Sequence, residues 1–474
     1  MPLFPASQKF IDSFFASIAP FEVAYEHVGF SYIALKIHTH FVIIRGRVFL
    51  NSVTPEGQPQ QFASPNVRAG HYRLSELALD IRTFIARLLE GQVATPSAPL
   101  HFPAALGGHH AASFVSLHPD GLRTQTRLSV LTLMGGPFEP IPQPDIDWEI
   151  KAGSPPYDGL QELGQVLGLA PPNVSTIIVE FLAQNVAVID GDNSKVSGTN
   201  ADVRVRAAKR LSHDRFTLGY RIYLPGADPK RGTISGSAMQ WTEDEKLNRG
   251  QIDIPIPKGA VLNCTISYDS IAQSHLWLAD PERIQNPRRA AYESFDPKLE
   301  NLKSIIANAQ TRGQEARDFE MAVGWLFWML GFNGAHLGMG RRSRDAPDQI
   351  MTTPSGNFAV VESTTGLLKA ENKLALLHDR TEAVRRNLSA KSNSYLRILP
   401  VIVTSKTTAE IRPDLEAAER LGVLIVTREN LDQAINQTLL QPNADQIYAE
   451  AEQSVSAALA KYDTRDVEPT NDSI

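Results

Sequence analysis

The sequence predicts a multidomain protein of mixed α/β and β class, and three observations support this prediction. The chain has 474 residues, which is longer than one ordinary domain. Its apolar residues change pattern twice, from mixed helix and strand spacing to short strands, and then to strands alternating with helices. A proline-rich connector covers 138–159. We therefore expect an N-terminal α/β domain over 1–145, a β-rich domain over 160–295, an α/β/α domain over 296–440, and a C-terminal helix with a disordered tail over 441–474.

Composition and charge narrow the class of protein. Hydrophobic residues make up 42% of the chain and charged residues 21%, as in ordinary globular proteins. The net charge of −6 argues against a surface coated with basic patches for nucleic acid. No apolar run reaches the roughly 18 residues that a membrane span needs. The single cysteine, Cys264, allows no disulfide framework. These features favour a cytoplasmic protein with no membrane partner.

Residues 1–145 combine strand and helix patterns. The segment "YIALKIHTHFVIIRGRVFLN" is rich in Ile and Val, which predicts strand structure over 32–51. The segment "RLSELALDIRTFIARLLEG" has apolar residues at helical spacing, which predicts one helix over 73–91. His38 and His40 share a predicted strand face, but no acidic residue lies at a recognisable metal-ligand spacing from them. The role of this domain stays unknown.

Residues 160–295 have the pattern of an antiparallel sandwich or barrel. Short β-prone segments are separated by Gly, Asn, Asp and Pro, and they are "STIIVEFLAQNVAVIDGDN", "DVRVRAAKRL", "RFTLGYRIYLPG", "GQIDIPIPKG" and "AVLNCTISYD". The region has no recognisable catalytic set. We therefore expect it to regulate or target another domain.

Residues 296–440 alternate helix and strand patterns. The segment "EARDFEMAVGWLFWMLGF" has one apolar helical face, and "NFAVVEST", "YLRILPVIVTS" and "VLIVT" are strand-like, with helical segments between them. This alternation predicts an α/β/α arrangement around a mixed sheet. The helix "DQIYAEAEQSVSAALAKY" beyond 440 carries an apolar stripe, which packs either on its own chain or on a second copy.

Two carboxylates stand out in this region. Glu362 lies inside an apolar strand, where a carboxylate is costly unless it is paired, protonated or bound to a metal. Asp348 follows Pro347 in a turn-like segment before that strand. On neighbouring strands the two carboxylates would offer the oxygen ligands that Mg²⁺ prefers. Each also has a purely structural interpretation, as does Glu320 on the preceding helix, which would be an exposed helix residue.

The order of these residues resembles the PD-(D/E)xK nuclease superfamily, and most of all its Mrr-type restriction endonuclease branch, over the last third of the chain only. The resemblance rests on Phe319-Glu320, Pro347-Asp348 and Val361-Glu362, followed by a helix and the strands "LPVIVTS" and "GVLIVT". It implies a restriction-endonuclease-like domain that hydrolyses phosphodiester bonds with Mg²⁺ or Mn²⁺. It also implies that Asp348, Glu362 and Glu320 are catalytic residues and metal ligands.

The sequence departs from the family pattern at one position. The family's lysine should stand two residues after Glu362, and that position is Thr364. The following helix carries Lys369 and Lys373, which are four residues apart and therefore on one helical face. We expect one of these two lysines, Lys373 first, to take the place of the missing one.

The function predicted from the sequence is a Mg²⁺-dependent DNA endonuclease of prokaryotic restriction or antiviral defence type. Arg341, Arg342 and Arg344 precede Asp348 and are expected to contact DNA phosphates. RNA stays open as a substrate, and a regulatory partner protein is a further possible partner. Because a double-strand break needs two active sites, we expect a homodimer or a higher even oligomer. The alternative is a catalytically inactive nuclease-fold module that binds nucleic acid or serves in assembly.

Overall fold

The computed structural model describes residues 5–52, 61–104, 108–136, 142–170, 177–309, 314–337, 346–366 and 373–463. Within these ranges the chain forms four β-sheets with helices packed against them. This architecture confirms the predicted multidomain class of mixed α/β and β structure.

The first part of the chain forms a mixed sheet of nine strands. Its elements are α1 (Pro5–Ile18), β1 (His27–Ile37), β2 (His40–Asn51), β3 (Phe62–Ala63), β4 (Val67–Arg73), α2 (Ile81–Leu89), β5 (Gln92–Val93), β6 (Leu100–His101), β7 (Ala111–Val115), α3 (Pro119–Arg123), β8 (Leu128–Met134), α4 (Gln143–Lys151), α5 (Leu160–Val166) and β9 (Ile178–Gln184). The strand order is β3-β4-β1-β2-β9-β8-β7, with β6 beside β2 and β5 beside β6.

The predicted single helix over 73–91 is divided in the structure. A short 3-10 turn covers Leu74–Leu77, and Ala78 then takes a left-handed conformation with φ of 54°. Asp80 caps α2 by accepting a hydrogen bond from the backbone N–H of Thr83 at 2.8 Å. Because an aspartate at this place satisfies an otherwise unpaired helix N-terminus, the helix starts again after it. The prediction of one continuous helix is therefore wrong.

The first sheet extends further along the chain than the sequence pattern indicates. β9 pairs in parallel with β2 and antiparallel with β8, so it lies in the middle of the sheet. It follows residue 160, where the sequence places the start of the second domain. The choice of partner strand is a non-local property, which a local pattern of apolar residues does not reveal.

The middle of the chain forms two antiparallel sheets. Their strands are β10 (Ala187–Ile189), β11 (Lys195–Ser197), β12 (Asn200–Ala208), β13 (Phe216–Leu224), β14 (Ala227–Ser235), β15 (Gln240–Glu243), β16 (Leu247–Pro255), β17 (Val261–Tyr268) and β18 (Ile271–Ala279). One sheet has the order β10-β12-β16-β15 with β11 beside β12, and the other has the order β14-β13-β17-β18. The prediction of an antiparallel β-rich region is confirmed.

The nine-stranded sheet and the two antiparallel sheets share one hydrophobic core. Phe181 of β9, Val203 of β12 and Leu262 of β17 are fully buried members of the same cluster. Backbone hydrogen bonds also join the two parts, since Arg127 donates to the carbonyl of Gln273 at 2.6 Å. The two regions that the sequence separates at 145–160 are therefore packed together through a continuous apolar interior.

The last part of the chain has three layers. Its elements are α6 (Pro287–Glu293), α7 (Glu300–Asn308), α8 (Gln314–Met329), β19 (Asn333–His336), β20 (Gln349–Thr352), β21 (Phe358–Thr364), α9 (Lys373–Ala390), β22 (Ile398–Thr404), α10 (Arg412–Arg420), β23 (Leu424–Val426), α11 (Arg428–Gln437) and α12 (Ala444–Asp463). The sheet order is β19-β20-β21-β22-β23, antiparallel up to β21 and parallel after it.

Helices cover both faces of this sheet. One core cluster joins the sheet to α7, α8, α11 and α12, and a second joins its other face to α9 and α10. This arrangement confirms the predicted α/β/α layers. The apolar stripe of α12 packs on its own chain, since Tyr448 is buried and Ile447, Ala451 and Val455 lie against the first cluster. The predicted disordered tail, from 464 onwards, lies outside the described residues.

A buried asparagine joins the three-layered part to the segment before it. Asn286 caps α6 and donates from Nδ2 to the carbonyls of Met329 and Thr438, at 2.8 and 2.9 Å. These bonds fix α6 against the ends of α8 and α11.

None of the helices in the described ranges has both the length and the apolar character to cross a membrane.

Candidate active site

The two predicted carboxylates lie side by side on neighbouring inner strands of the C-terminal sheet, where β20 begins beside β21. Asp348 comes directly before β20, and the antiparallel register places Gln349 opposite Val361, so that Asp348 lies beside Glu362. The backbone N–H of Ser363 donates to Oδ2 of Asp348 at 2.8 Å. This bond holds the aspartate against β21. The pairing of two strands, rather than closeness in sequence, therefore brings the carboxylates together.

Glu362 is fully buried and is held by two cations from α9. Arg380 donates from Nη1 to Oε1 of Glu362, and Nζ of Lys373 lies 3.5 Å from Oε2. The side chains of Arg380 and Lys373 are 12% and 21% exposed, against 0% for Glu362. The two basic residues are seven positions apart, which is about two helical turns, so both project from one face of α9.

Within the described part of the chain, one oxygen of each carboxylate has no hydrogen-bond donor. Oε2 of Glu362 is buried and forms no hydrogen bond, although the Lys373 ammonium is nearby. Oδ1 of Asp348 forms no hydrogen bond to a described residue, since the bond from Ser363 goes to Oδ2. Burial raises the pKa of Glu362, and the charge of Asp348 adds to this, while Arg380 and Lys373 oppose it.

Glu320 completes the acidic side of the site. It lies on α8 and is partly buried, and the side-chain amide of Gln349 donates to its backbone carbonyl. Burial raises the pKa of Glu320 to about 7, and the charges of Asp348 and Glu362 contribute to the rise. Lys373 lowers the same pKa. Glu320 therefore interacts electrostatically with Asp348, Glu362 and Lys373.

The donor set is small but fits a hard divalent cation. Among the described residues, no three or more His, Cys, Asp or Glu side chains form a group that could hold a metal ion. Mg²⁺ is commonly bound by one or two protein carboxylates, with waters and substrate phosphates as the other ligands. The unbonded, buried Oε2 of Glu362 beside Asp348 is the feature expected of such a site. The residues present therefore fit Mg²⁺ or Mn²⁺ as a two-carboxylate site.

Several predicted site residues lie outside the described part of the chain. These are Lys369, Arg341, Arg342 and Arg344. Their predicted roles, as a second candidate lysine and as contacts to DNA phosphates, stay predictions. Lys373, which the sequence favours over Lys369, is placed beside Glu362.

Two residues of the site were missed by reasoning from the sequence. Arg380 is seven positions after Lys373, and this spacing would have indicated it once Lys373 was assigned to the site. Gln349 is fully buried, and its Oε1 forms no hydrogen bond. Its position directly after Asp348 gave no signal, because the sequence does not show that β20 lies against α8.

Comparisons with known proteins assign neither a family nor a function to this chain. No family model matches this sequence, and no curated protein matches it. Among solved structures, the chain is similar to the sensor domain of the anti-sigma factor RsgI4 of Pseudobacteroides cellulosolvens, with 10% identity and a TM-score of 0.14. That similarity covers 20% of this chain and 91% of the other. A likeness of this size carries no conclusion about fold or function.

Proposed function

We propose that this protein is a metal-dependent DNA endonuclease of the PD-(D/E)xK type, acting in prokaryotic restriction or antiviral defence. The observation that supports it is the placement of Asp348, Glu362 and Lys373 together beside the inner strands β20 and β21, with Nζ of Lys373 3.5 Å from Oε2 of Glu362. At this distance the charge of Lys373 favours the ionised form of Glu362 and opposes the rise in the pKa of Glu362 that burial causes. The lysine absent at Thr364 is thus supplied from α9.

The carboxylates would hold the cation, and the cation would supply charge neutralisation and a more acidic water. Asp348 and Glu362 would bind it through Oδ1 and Oε2, the two oxygens that form no hydrogen bond to any residue in the described ranges. Arg380 keeps its bond to Oε1 of Glu362 in this arrangement, so that the carboxylate is fixed in orientation while its second oxygen is available.

Lys373 would stabilise negative charge in the reaction, and Glu320 would transfer protons. The ammonium of Lys373 can donate to the water or phosphate oxygen beside Glu362, which stabilises negative charge that develops in the reaction. Glu320 has a pKa of about 7, so it exchanges a proton readily at neutral pH. A carboxyl with such a pKa is suited to general acid or base catalysis.

Plasmid cleavage tests the proposal. Purified protein should nick supercoiled plasmid with Mg²⁺ or Mn²⁺, and Asp348→Asn or Glu362→Gln should abolish this. Lys373→Met should reduce the rate by roughly 100-fold or more. The matched control is Lys391→Met, which removes an exposed lysine just past the other end of α9 and should leave the rate unchanged. Full cutting by both carboxylate variants would contradict the proposal.

A second candidate function is a catalytically inactive module that binds nucleic acid or serves in assembly. It is favoured by Thr364 at the family's lysine position and by Arg380, which already neutralises Glu362. Titration calorimetry with Mn²⁺ separates the two functions. Binding that is lost in Asp348→Asn supports the nuclease. Absence of cation binding and of cleavage, with DNA or RNA binding retained, supports the inactive module.

We also propose that the protein works in the cytoplasm and that its first 295 residues restrain or target the nuclease domain, alone or with a regulatory partner protein. A free nuclease would damage the DNA of its own cell, so restraint is expected. The proposal is supported by the shared core of the N-terminal sheets, which makes them one large body attached to the nuclease domain.

A further inference from the structure

A polar cleft lies on the sheet formed by β10, β12, β16 and β15, far in sequence from the candidate active site. Its volume is about 190 Å³, and its lining includes Asp190, Arg204, Arg206, Thr242, Arg249 and Gln251. Val203 and Val205 alternate with the arginines of β12 and are buried in the core. The arginines therefore project from the opposite, outer face of the sheet.

Two arginines face each other directly across this cleft. The antiparallel register of β12 and β16 pairs Arg206 with Arg249. Like charges in directly opposite positions destabilise a sheet. Asp190 and Asp244 offset part of this repulsion, and an anion bound between the two guanidinium groups would offset the rest.

Each of the two guanidinium groups has one carboxylate beside its Nε, as an ion pair without a hydrogen bond at Arg206 and as a hydrogen bond at Arg249. Asp190 is 3% exposed and lies 3.5 Å from Nε of Arg206. Asp244 accepts a hydrogen bond from Nε of Arg249 at 2.7 Å. The terminal Nη groups of Arg206 and Arg249 form no hydrogen bond to a described residue. Each arginine thus presents donors that are oriented but not used, which is the arrangement that favours binding of oxyanions.

Further hydrogen-bonding groups surround the pair. Thr242 of β15 lies directly opposite Arg249, so its hydroxyl extends the row. Gln251 lies opposite Arg204 and contributes an amide one row away. Arg204 itself is bound by Asp202, at 3.0 Å between Nη2 and Oδ2. The free donors are therefore concentrated at Arg206, Arg249 and Thr242.

The same face argues against a long polyanion. Asp202 and Asp253 face each other across β12 and β16, further along the strands. Asp202 and Arg206 are four residues apart on β12, which is roughly 13 Å of extended strand. A nucleic-acid backbone that continued along the strands would meet this acidic pair. A ligand with one phosphate group would not.

We propose that this cleft binds the phosphate group of a small phosphate ester, held between Arg206 and Arg249. The proposal goes beyond the nuclease function and does not rest on it. Such a ligand would bind to the β-rich part of the chain, where the neighbouring amide and hydroxyl groups can recognise the rest of the molecule.

Ligand titrations on the full chain test this site. The probes are inorganic phosphate, AMP, ribose 5-phosphate and a short single-stranded oligonucleotide, with adenosine as the uncharged control. We expect thermal stabilisation and calorimetric binding by the phosphate esters and none by adenosine. Ribose 5-phosphate and AMP distinguish a sugar phosphate from a nucleotide as the source of the phosphate.

Two variants and a matched control locate the binding. Arg206→Gln and Arg249→Gln should each weaken binding about tenfold or more. Arg206→Gln also leaves the buried Asp190 without its counter-charge, so it should lose stability, whereas Arg249→Gln leaves only the 36% exposed side chain of Asp244 and tests binding in a chain that keeps its stability. Arg231→Gln is the control, since Arg231 also faces an arginine, Arg221, in the other sheet of the sandwich but does not line the cleft.

Three outcomes would overturn the proposal. The first is that no phosphate ester binds even at concentrations well above about 1 mM, which would mean a dissociation constant weaker than about 1 mM. The second is equal weakening in the Arg231→Gln control. The third is tighter binding of the oligonucleotide than of AMP with the same dependence on Arg206 and Arg249, which would make the cleft a nucleic-acid contact.

Discussion

At the scale of single residues, Glu362 shows how a charge is tolerated inside an apolar strand. Its carboxylate is fully buried, and its neighbours are one acid, Asp348, and two bases, Arg380 and Lys373. Burial and the charge of Asp348 raise the pKa of Glu362, and Arg380 and Lys373 oppose this rise by favouring the ionised carboxylate. The basic residues on α9 are therefore as much a part of the site as the carboxylates.

Removal of Arg380 should destabilise the protein strongly. We expect Arg380→Met to lower the free energy of unfolding by about 3 kcal/mol, because it leaves a buried carboxylate with a weaker counter-charge. Urea unfolding at pH 7 measures the change. Arg385→Met, on an exposed turn of the same helix, should cost less than about 1 kcal/mol.

A double variant separates electrostatics from packing in this prediction. In Glu362→Gln the carboxylate is gone, so that a further Arg380→Met change should cost clearly less than it does in the wild-type chain. Equal costs in the two backgrounds would show that the ion pair contributes nothing and that Arg380 stabilises the protein by packing alone.

Glu320 should make folding stability depend on pH. Its pKa is about 7 in the folded chain and 4.5 without the fold. Between these values the unfolded chain releases the proton first, so stability falls as pH rises through this window and stays lower above it. After allowance for solvent screening, the loss should be roughly 1–2 kcal/mol.

Denaturant unfolding from pH 4 to pH 9 measures this dependence. Glu320→Gln should flatten the slope between about pH 4.5 and 7 and should be more stable than the wild type at pH 8. The control is Asp432→Asn, which removes a different carboxyl with a pKa raised to about 6 and should flatten only its own part of the curve. An unchanged slope in Glu320→Gln would contradict the prediction.

The residues of the candidate site were only partly predictable from the sequence. Asp348 and Glu362 attract notice because carboxylates are rare in their settings. Lys373 attracts notice because the lysine that the resemblance to the PD-(D/E)xK superfamily implies is replaced by Thr364. Arg380 looks like one more basic residue on a polar helix. Its role depends on which face of α9 meets β21, and that is fixed by packing across the sheet rather than by local sequence.

At the scale of elements, strongly periodic segments were predictable and polar strands were not. α8, β21 and β22 follow from apolar periodicity, since each buries a continuous set of side chains. β14 was missed because "ADPKRGTIS" contains Pro and Gly and is mostly exposed. It is a strand because β13 pairs with it continuously over 230–235, beyond an irregularity near its start.

α12 contains a buried tyrosine hydroxyl that lacks a hydrogen-bond partner among the described residues. The hydroxyl of Tyr448 is buried and forms no hydrogen bond, beside an apolar cavity of about 110 Å³. A buried hydroxyl without a partner costs about 1–3 kcal/mol, so Tyr448→Phe should leave stability unchanged or raise it by about 1 kcal/mol. Thermal or urea unfolding measures the difference.

The control for this change lies on the same helix. Tyr462 donates its hydroxyl proton to Glu419 at 2.8 Å, so that Tyr462→Phe removes a hydrogen bond and should be neutral or slightly destabilising. If Tyr448→Phe is instead destabilising by more than about 1 kcal/mol, the hydroxyl has a partner such as an ordered water.

At the scale of the whole molecule, the C-terminal α/β/α domain, which is the proposed nuclease domain, is in contact with the N-terminal part. Helix α11 packs against α3, and the charges of Arg123 and Asp120 on α3 act on Arg428. Asp432 lies in the same contact, and burial raises its pKa to about 6. A contact of this kind is one route by which residues 1–295 would restrain the nuclease domain.

A fragment tests the proposed restraint. The fragment should begin near residue 284 rather than at 296, because Asn286 and Arg289 are bonded to Thr438 at the end of α11. We expect the fragment 284–474 to cleave plasmid faster, or at different targets, than the full chain. Circular dichroism of the fragment and of its Asp348→Asn variant shows that any activity belongs to folded protein. Identical cleavage by fragment and full chain would contradict the restraint.

The assembly of the protein follows from the chemistry of the proposed reaction. The described chain holds one candidate site, and a double-strand break needs two cuts on antiparallel strands, which a two-fold symmetric dimer supplies. The stripe on α12 is already covered by its own chain, so the interface must use another surface. We expect light scattering at micromolar concentration to give about twice the chain mass of 52.1 kDa, or a higher even multiple. A particle of single-chain mass, both with and without DNA, would contradict this prediction and would limit the enzyme to nicks.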